Sequence, residues 1–182
     1  MRLTGMNGAR LLILLVCMLF FPVCLQEAGA CTGIMLRATD GSVVHGRTLE
    51  FGIPIETSVA VVPRGYEFVG KTPLGPGLKY KSKNAVTGAI CFKDLAIADG
   101  LNEKGLAAGA FYFPTFAKYA DITDKNVSRA LSPFDIVNWI LAQFDTVADV
   151  KRAIENGDVV IAPTVIEGWG PTSPPLHYIV YD

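Results

Sequence analysis

Cys31 stands directly after Ala28-Gly29-Ala30. Small residues in an A-x-A pattern are what a signal peptidase cuts behind. Upstream, Arg2 and Arg10 make a positive segment, and Leu11 to Leu25 is an apolar run broken by Pro22. That run falls short of the roughly 20 apolar residues that span a bilayer. Residues 1–30 are therefore expected to be a removed signal peptide, and 31–182 an exported domain, periplasmic or secreted. Cleavage before Cys31 would expose its α-amine. A thiol with a reference pKa of about 8.5 needs a base at neutral pH; an α-amine at about 7.7–8.0 is already partly unprotonated there, and a lysine at about 10.4 is not. One residue then supplies both nucleophile and base, with no histidine required.

Two other readings of Cys31 stay open at this point. Bacterial lipoproteins also begin with cysteine after the cut, although Ala28 makes a poor lipobox, and Cys31 could simply start a strand. Of the four cysteines, Cys17 and Cys24 would leave with the leader, so Cys31 and Cys91 remain. A disulfide between them is open to an exported chain, whereas the nucleophile reading needs Cys31 free. The two histidines, His45 and His177, read as strand residues with local partners. No G-x-S-x-G elbow, phosphate-binding loop, H-E-x-x-H or C-x-x-C is present, so neither a metal nor a cofactor is expected.

The elements that must carry Cys31 can be read from periodicity and punctuation. Residues 31–37 and 42–51 form a hairpin about Thr39-Asp40-Gly41, and 57–62 a third strand. From Pro63 to Lys83 glycine and proline recur, which predicts loop with at most short strands. Residues 86–91 and 95–98 read as buried strands before a turn over Asp99 to Gly105, followed by a strand over 106–113. Ser132 is expected to cap a helix with Pro133 in its first position and Ile136, Trp139, Ile140 and Phe144 on one face. Thr146 caps a second helix, with Asp149 in its first turn and Gly157 past its end. Strands at 158–162 and 176–181 close the chain, which stops at Asp182 directly after an apolar strand and so reads as incomplete. Strands, a helical pair, then strands predict an α+β fold with helices covering an antiparallel sheet.

The composition is that of an ordinary globular chain: 51% hydrophobic, 18% charged, net charge −1 and pI about 6.1. Nothing in it points to nucleic acid as a partner.

Three stretches in this order, Cys31-Thr32-Gly33, Gly46-Arg47-Thr48-Leu49-Glu50-Phe51-Gly52 and Leu101-Asn102-Glu103-Lys104-Gly105-Leu106, resemble the choloylglycine hydrolase family of bile salt hydrolases and penicillin V acylases. The resemblance runs from Cys31 to the end of the chain, through Pro175-Leu176-His177-Tyr178. It implies an N-terminal nucleophile αββα sandwich, a linear amide C–N bond as target, a small-molecule amide as substrate and signal peptidase as the maturing partner. It also implies roles: Cys31 as nucleophile, Arg47 beside it, Glu50 where many members carry the aspartate that orients the α-amine, and the Asn102 N–H in the oxyanion hole. Phe51, Ile53, Phe111, Tyr112 and Phe113 would line the acyl pocket. Conjugated bile salts, penicillin V and N-acyl homoserine lactones are not separated by these residues. Members are much longer, with a second oxyanion asparagine and a further arginine beyond the last residue here, and they form homo-oligomers. The competing readings are a lipid-anchored, non-catalytic surface or binding protein modified at Cys31, and an inert fragment.

Overall fold

The computed structural model describes residues 31–50, 55–92, 95–165 and 169–182. The expected signal peptide therefore lies outside the described residues. β1 (Gly33–Arg37) and β2 (Val43–Arg47) form the expected hairpin, with Gly33 opposite Arg47 and Met35 opposite His45. Asp40 shapes its turn, accepting from both the Ser42 N–H and the Ser42 hydroxyl. β3 (Thr57–Val62) follows.

The stretch expected to be loop-rich forms a second hairpin, β4 (Glu67–Thr72) with β5 (Gly75–Lys81). Stacked Phe68 and Tyr80 rings, 4.9 Å between centroids, hold it across the pair. Its glycines serve packing: a Cβ on Gly70 would lie 2.6 Å from the Ala130 carbonyl oxygen, and one on Gly77 would meet that same oxygen. Next come β6 (Val86–Cys91), β7 (Ile97–Asn102) and β8 (Ala107–Tyr112). The turn expected over 99–105 is shorter than read, because the strand continues through Asp99-Gly100-Leu101 in register with β6 and β8.

β9 (Ala130–Leu131) pairs in parallel with β10 (Val160–Ile161). Between them lie α1 (Asp135–Gln143) and α2 (Val147–Glu155). α2 has the cap read from its sequence: the Thr146 hydroxyl accepts from the Asp149 N–H at 3.2 Å, and Gly157 past its end takes φ +72°. α1 does not. Its N-cap is Phe134, and no side chain caps it there. The Asp135 carboxylate instead reaches back to the N–H groups of Ser132 and Lys71, so a contact to β4 decides where this helix begins.

β11 (Leu176–Tyr181) completes a five-stranded antiparallel sheet in the order β11-β8-β7-β6-β3. Alternation along β8 divides its two faces. Ala108 and Ala110 look toward α1 and α2 and the main core, which includes Leu106, Leu131, Val137, Ile140 and Leu141. Phe111 looks the other way, toward the β1–β2 hairpin. A Cβ on Gly33 would come 2.8 Å from the Phe111 ring, so only glycine lets β1 approach this closely. The architecture is α+β, with helices on one side of a central sheet and a hairpin on the other. No described helix is long and apolar enough to cross a membrane.

Candidate active site

The hairpin register places Cys31 with respect to Arg47. Beyond the Gly33–Arg47 pair the ladder continues through Thr32, whose carbonyl accepts from the Thr48 N–H at 2.9 Å and whose N–H donates to the Thr48 hydroxyl at 3.0 Å. Residues two apart on a strand share a face, so Cys31 lies on the side of Gly33, Arg47 and His45. That side turns toward the sheet. The Cys31 thiol is half-buried, unbonded to any other cysteine, and faces the Glu50 carbonyl oxygen at 4.0 Å. Glu50 itself is exposed.

Arg47 is the best-anchored side chain of the group. Its Nη1 donates to the Ala110 carbonyl at 2.8 Å and to the Ala98 carbonyl at 3.1 Å, and its Nε donates to the Thr48 carbonyl at 3.2 Å. The guanidinium lies 4.3 Å above the Phe111 ring, a cation–π contact. Nη2 is buried with no hydrogen-bond partner among the described residues, so the group retains donor capacity. Asn138, buried in α1, holds the backbone that leads into Ala98: its Oδ1 accepts from the Ile97 N–H and its Nδ2 donates to the Leu95 carbonyl.

Cys91, at the end of β6, belongs to the same neighbourhood. Burial raises the pKa of its thiol; the positive charge of Arg47 pulls it down and the nearby Cys31 pushes it up. Cys31 and Cys91 are both free thiols.

The other expected residues divide. Asn102 does not join the group. Its N–H already donates to the Leu106 carbonyl, its Oδ1 accepts from the N–H groups of Lys104 and Leu106, and its Nδ2 donates to the Leu141 and Phe144 carbonyls. It also sits four residues along β7 from Ala98, about 13 Å at strand rise. Asn102 organises a turn here, and its N–H has nothing left for an oxyanion. Phe111, Tyr112 and Phe113 do not line one wall, because the strand period sends Tyr112 to the opposite face, against Trp169. Phe111 is the platform beneath Arg47, and Phe113 packs on Phe116 and His177. Phe51 and Ile53 lie outside the described residues.

Several features escape the sequence reading. His45 is bound across 54 residues to Asp99, Nε2 to Oδ2 at 3.0 Å, while its Nδ1 faces the Ile34 carbonyl at 3.3 Å. Asp99 also meets Arg47 Nη1 at 3.9 Å. The visible signal was an aspartate inside an otherwise apolar strand, which reading the stretch as a turn concealed. His177, expected to have a local partner, has a buried Nδ1 without one among the described residues, and its ring stacks on Phe111. Desolvation holds the pKa of His177 below the ordinary histidine value. Phe92, Phe134, Trp169 and Tyr112 form an aromatic cluster at the Cys91 end of the sheet, with neighbouring centroids 5.6–6.0 Å apart. Phe92 reaches it through a left-handed backbone, φ +68°. Among the described residues, no three of the His, Cys, Asp and Glu side chains are grouped as a metal would need.

Residues 31–182 match the sequence model of the linear amide C–N hydrolases of the choloylglycine hydrolase family. The bile salt hydrolase/transferase of Clostridium perfringens is 31% identical over 156 residues, which are 84% of this chain and 45% of that enzyme. Among solved structures, a variant of the conjugated bile acid hydrolase of Clostridium perfringens superimposes with a TM-score of 0.67 at 29% identity, covering 84% of this chain and 45% of that one. The penicillin V acylase of Agrobacterium tumefaciens superimposes with a TM-score of 0.68 at 25% identity, covering 82% and 43%. The chain thus has the fold of these enzymes and spans somewhat less than half the length of each.

Proposed function

Because the chain belongs to the linear amide C–N hydrolases of the choloylglycine hydrolase family, we propose that it is the nucleophile-bearing part of an amide hydrolase activated by cleavage before Cys31. The observation that carries this reading is Cys31 at the head of β1, a free and half-buried thiol on the hairpin side that also presents the anchored Arg47. Cleavage frees the α-amine, which takes the thiol proton as sulfur attacks the amide carbonyl carbon. A C–S bond forms, and the carbonyl oxygen becomes an oxyanion. The ammonium then returns its proton to the amide nitrogen, the C–N bond breaks and the amine departs. Water hydrolyses the thioester and releases the acid.

Arg47 supports the anionic stages in this account. Its charge favours the thiolate, and Nη2 keeps N–H groups for the developing negative charge. The Glu50 carboxylate, one methylene longer than aspartate, is the group assigned to hold the ammonium. The substrate is a small-molecule amide with an apolar acyl part. Conjugated bile salts, penicillin V and N-acyl homoserine lactones are the compounds to assay. The reading places the protein outside the cytoplasm, with signal peptidase as its maturing partner, and as a homo-oligomer by analogy with the family.

The test pairs mass with activity on protein purified from its native host. An unmodified terminus at Cys31, together with hydrolysis that Cys31→Ser abolishes while the circular dichroism spectrum is retained, is the expected result. A lipid on Cys31, or hydrolysis that survives Cys31→Ser, would overturn it.

A further inference from the structure

β4 and β5 make a two-stranded ribbon whose inner and outer faces are fixed. Phe68, Leu78 and Tyr80 pack on the main core, and Gly70 and Gly77 lie against the Ala130 carbonyl with no room for a side chain. The ribbon therefore cannot turn over. Alternation along the strands sends Glu67, Val69 and Lys71 of β4, and Lys79 and Lys81 of β5, to the outer face, where all are exposed. Lys79 stands opposite Val69, and Lys81 opposite Glu67, whose carboxylate meets its ammonium at 2.8 Å.

This face carries three ammonium groups against one carboxylate, in a chain whose net charge is −1. No aspartate or glutamate occurs from Phe68 to Phe92, a stretch that holds four lysines. The fourth, Lys83, borders a separate cleft with Asp145 and Asp149 and is not counted. Asp135, beneath β4, is directed to the N–H groups of Lys71 and Ser132.

Apolar groups stand among these cations. Val69 is 50% exposed, and Leu74, in the turn that joins the strands, 54%. That turn is held from within: the Thr72 hydroxyl accepts from the Leu74 N–H at 3.2 Å and donates to the Gly75 carbonyl at 2.8 Å. A Cβ on Gly75 would meet nothing within 4 Å, so the tip stands in open solvent. A dissolved polyanion would engage the lysines and gain nothing from Val69 or Leu74. A bilayer with anionic headgroups takes both, phosphate against ammonium and the interfacial layer against the apolar side chains.

We propose that the outer face of the β4–β5 ribbon is a peripheral docking site for an anionic phospholipid surface. Lys71, Lys79 and Lys81 meet the lipid phosphates, and Leu74 and Val69 enter the headgroup layer. The proposal goes beyond amide hydrolysis and does not depend on it. Three cations and two half-exposed apolar groups make an attachment that is reversible and sensitive to salt.

The test is sedimentation of the full chain with phosphatidylglycerol vesicles and with phosphatidylcholine vesicles. The apolar run of residues 11–25 is the same in every protein compared, so any attachment it makes cancels. The parent should prefer phosphatidylglycerol, and salt raised to about 0.5 M should remove that preference. Lys79→Gln with Lys81→Gln should weaken binding to phosphatidylglycerol by about 30-fold. Leu74→Ser should weaken it by about fivefold. Arg37→Gln with Lys151→Gln, which removes two exposed cations from the β1–β2 hairpin and from α2, should leave it unchanged. All these positions are exposed, so melting temperatures should stay at the parent value. Equal sedimentation of parent and lysine variant would overturn the proposal, as would an equal loss in the Arg37 and Lys151 control. A loss with the lysine variant but none with Leu74→Ser would also overturn it, since that pattern marks a dissolved acidic polymer as the partner.

Discussion

Gly33 and Arg47 face each other across the hairpin, and Phe111 is what both of them meet. The guanidinium lies over the ring at 4.3 Å, and a Cβ on Gly33 would come 2.8 Å from it. Gly33→Ala must therefore lift β1 or turn the ring, at a cost of about 1–3 kcal/mol typical of overpacking. Thermal melting should show the loss, and amide hydrolysis should fall by more than the stability change explains, because Cys31 is carried on the same strand. Parent-like melting and turnover would mean that the contact relaxes freely. Cys31 and Arg47 were legible in their placement, because the strand period about the Thr39-Asp40-Gly41 turn puts them on one side of the hairpin. Asn102 was not. Its motif identifies a turn, but nothing local says that the turn closes the far end of β7 from Arg47, or that every polar group of the asparagine is already bonded there.

At the scale of elements, what was legible depended on whether the deciding contact is local. α2 carries its own instructions in Thr146, Asp149 and Gly157. The start of α1 is set by Asp135 reaching the Lys71 N–H, and β4–β5 is set by glycines lying beneath Ala130; neither partner is near in sequence. Asn138 is the clearest tie between helix and sheet. Asn138→Leu would strip the Ile97 N–H and the Leu95 carbonyl of their partners, costing about 2–4 kcal/mol for two buried groups left unmade. Chemical denaturation should show that loss, and an unchanged midpoint would mean that water replaces the amide. A second element-level link joins the loop after β3 to the β7–β8 turn. Arg64 donates through Nε and Nη2 to Glu103, which also accepts from the Ala85 N–H. The Arg64 hydrogen bond, then the Ala85 N–H, brings the Glu103 pKa down to about 2 from an ordinary 4.5. A depressed carboxylate pKa favours the folded state above the unfolded value, and that contribution disappears as pH falls through the folded one. Stability measured between about pH 4.5 and pH 2 should therefore drop less steeply in Glu103→Gln than in the parent; parallel curves would argue against the link.

Across the whole molecule, the central sheet is covered unequally. Helices bury one face, while on the other side Val59 and Val61 of β3 remain 77% and 76% exposed beside the hairpin. Ile34, Leu36 and Val44 add to this apolar surface on the outer side of the hairpin. Apolar area of this kind binds hydrophobic dyes. Val59→Lys with Val61→Lys should lower the fluorescence of the dye ANS in the folded 182-residue chain while leaving its melting temperature close to the parent value. Equal fluorescence would place the dye elsewhere. The Phe111 contact also has a consequence for the order in which the molecule is made. β1 emerges from the ribosome long before β8, yet β1 has nowhere to dock until Phe111 exists, and the carbonyl sockets of Arg47 lie at Ala98 and Ala110. Contacts of such long sequence separation form late and slowly. The residues of β1 are thus made early and find their place late, and Cys31 waits on a hairpin that later residues must receive.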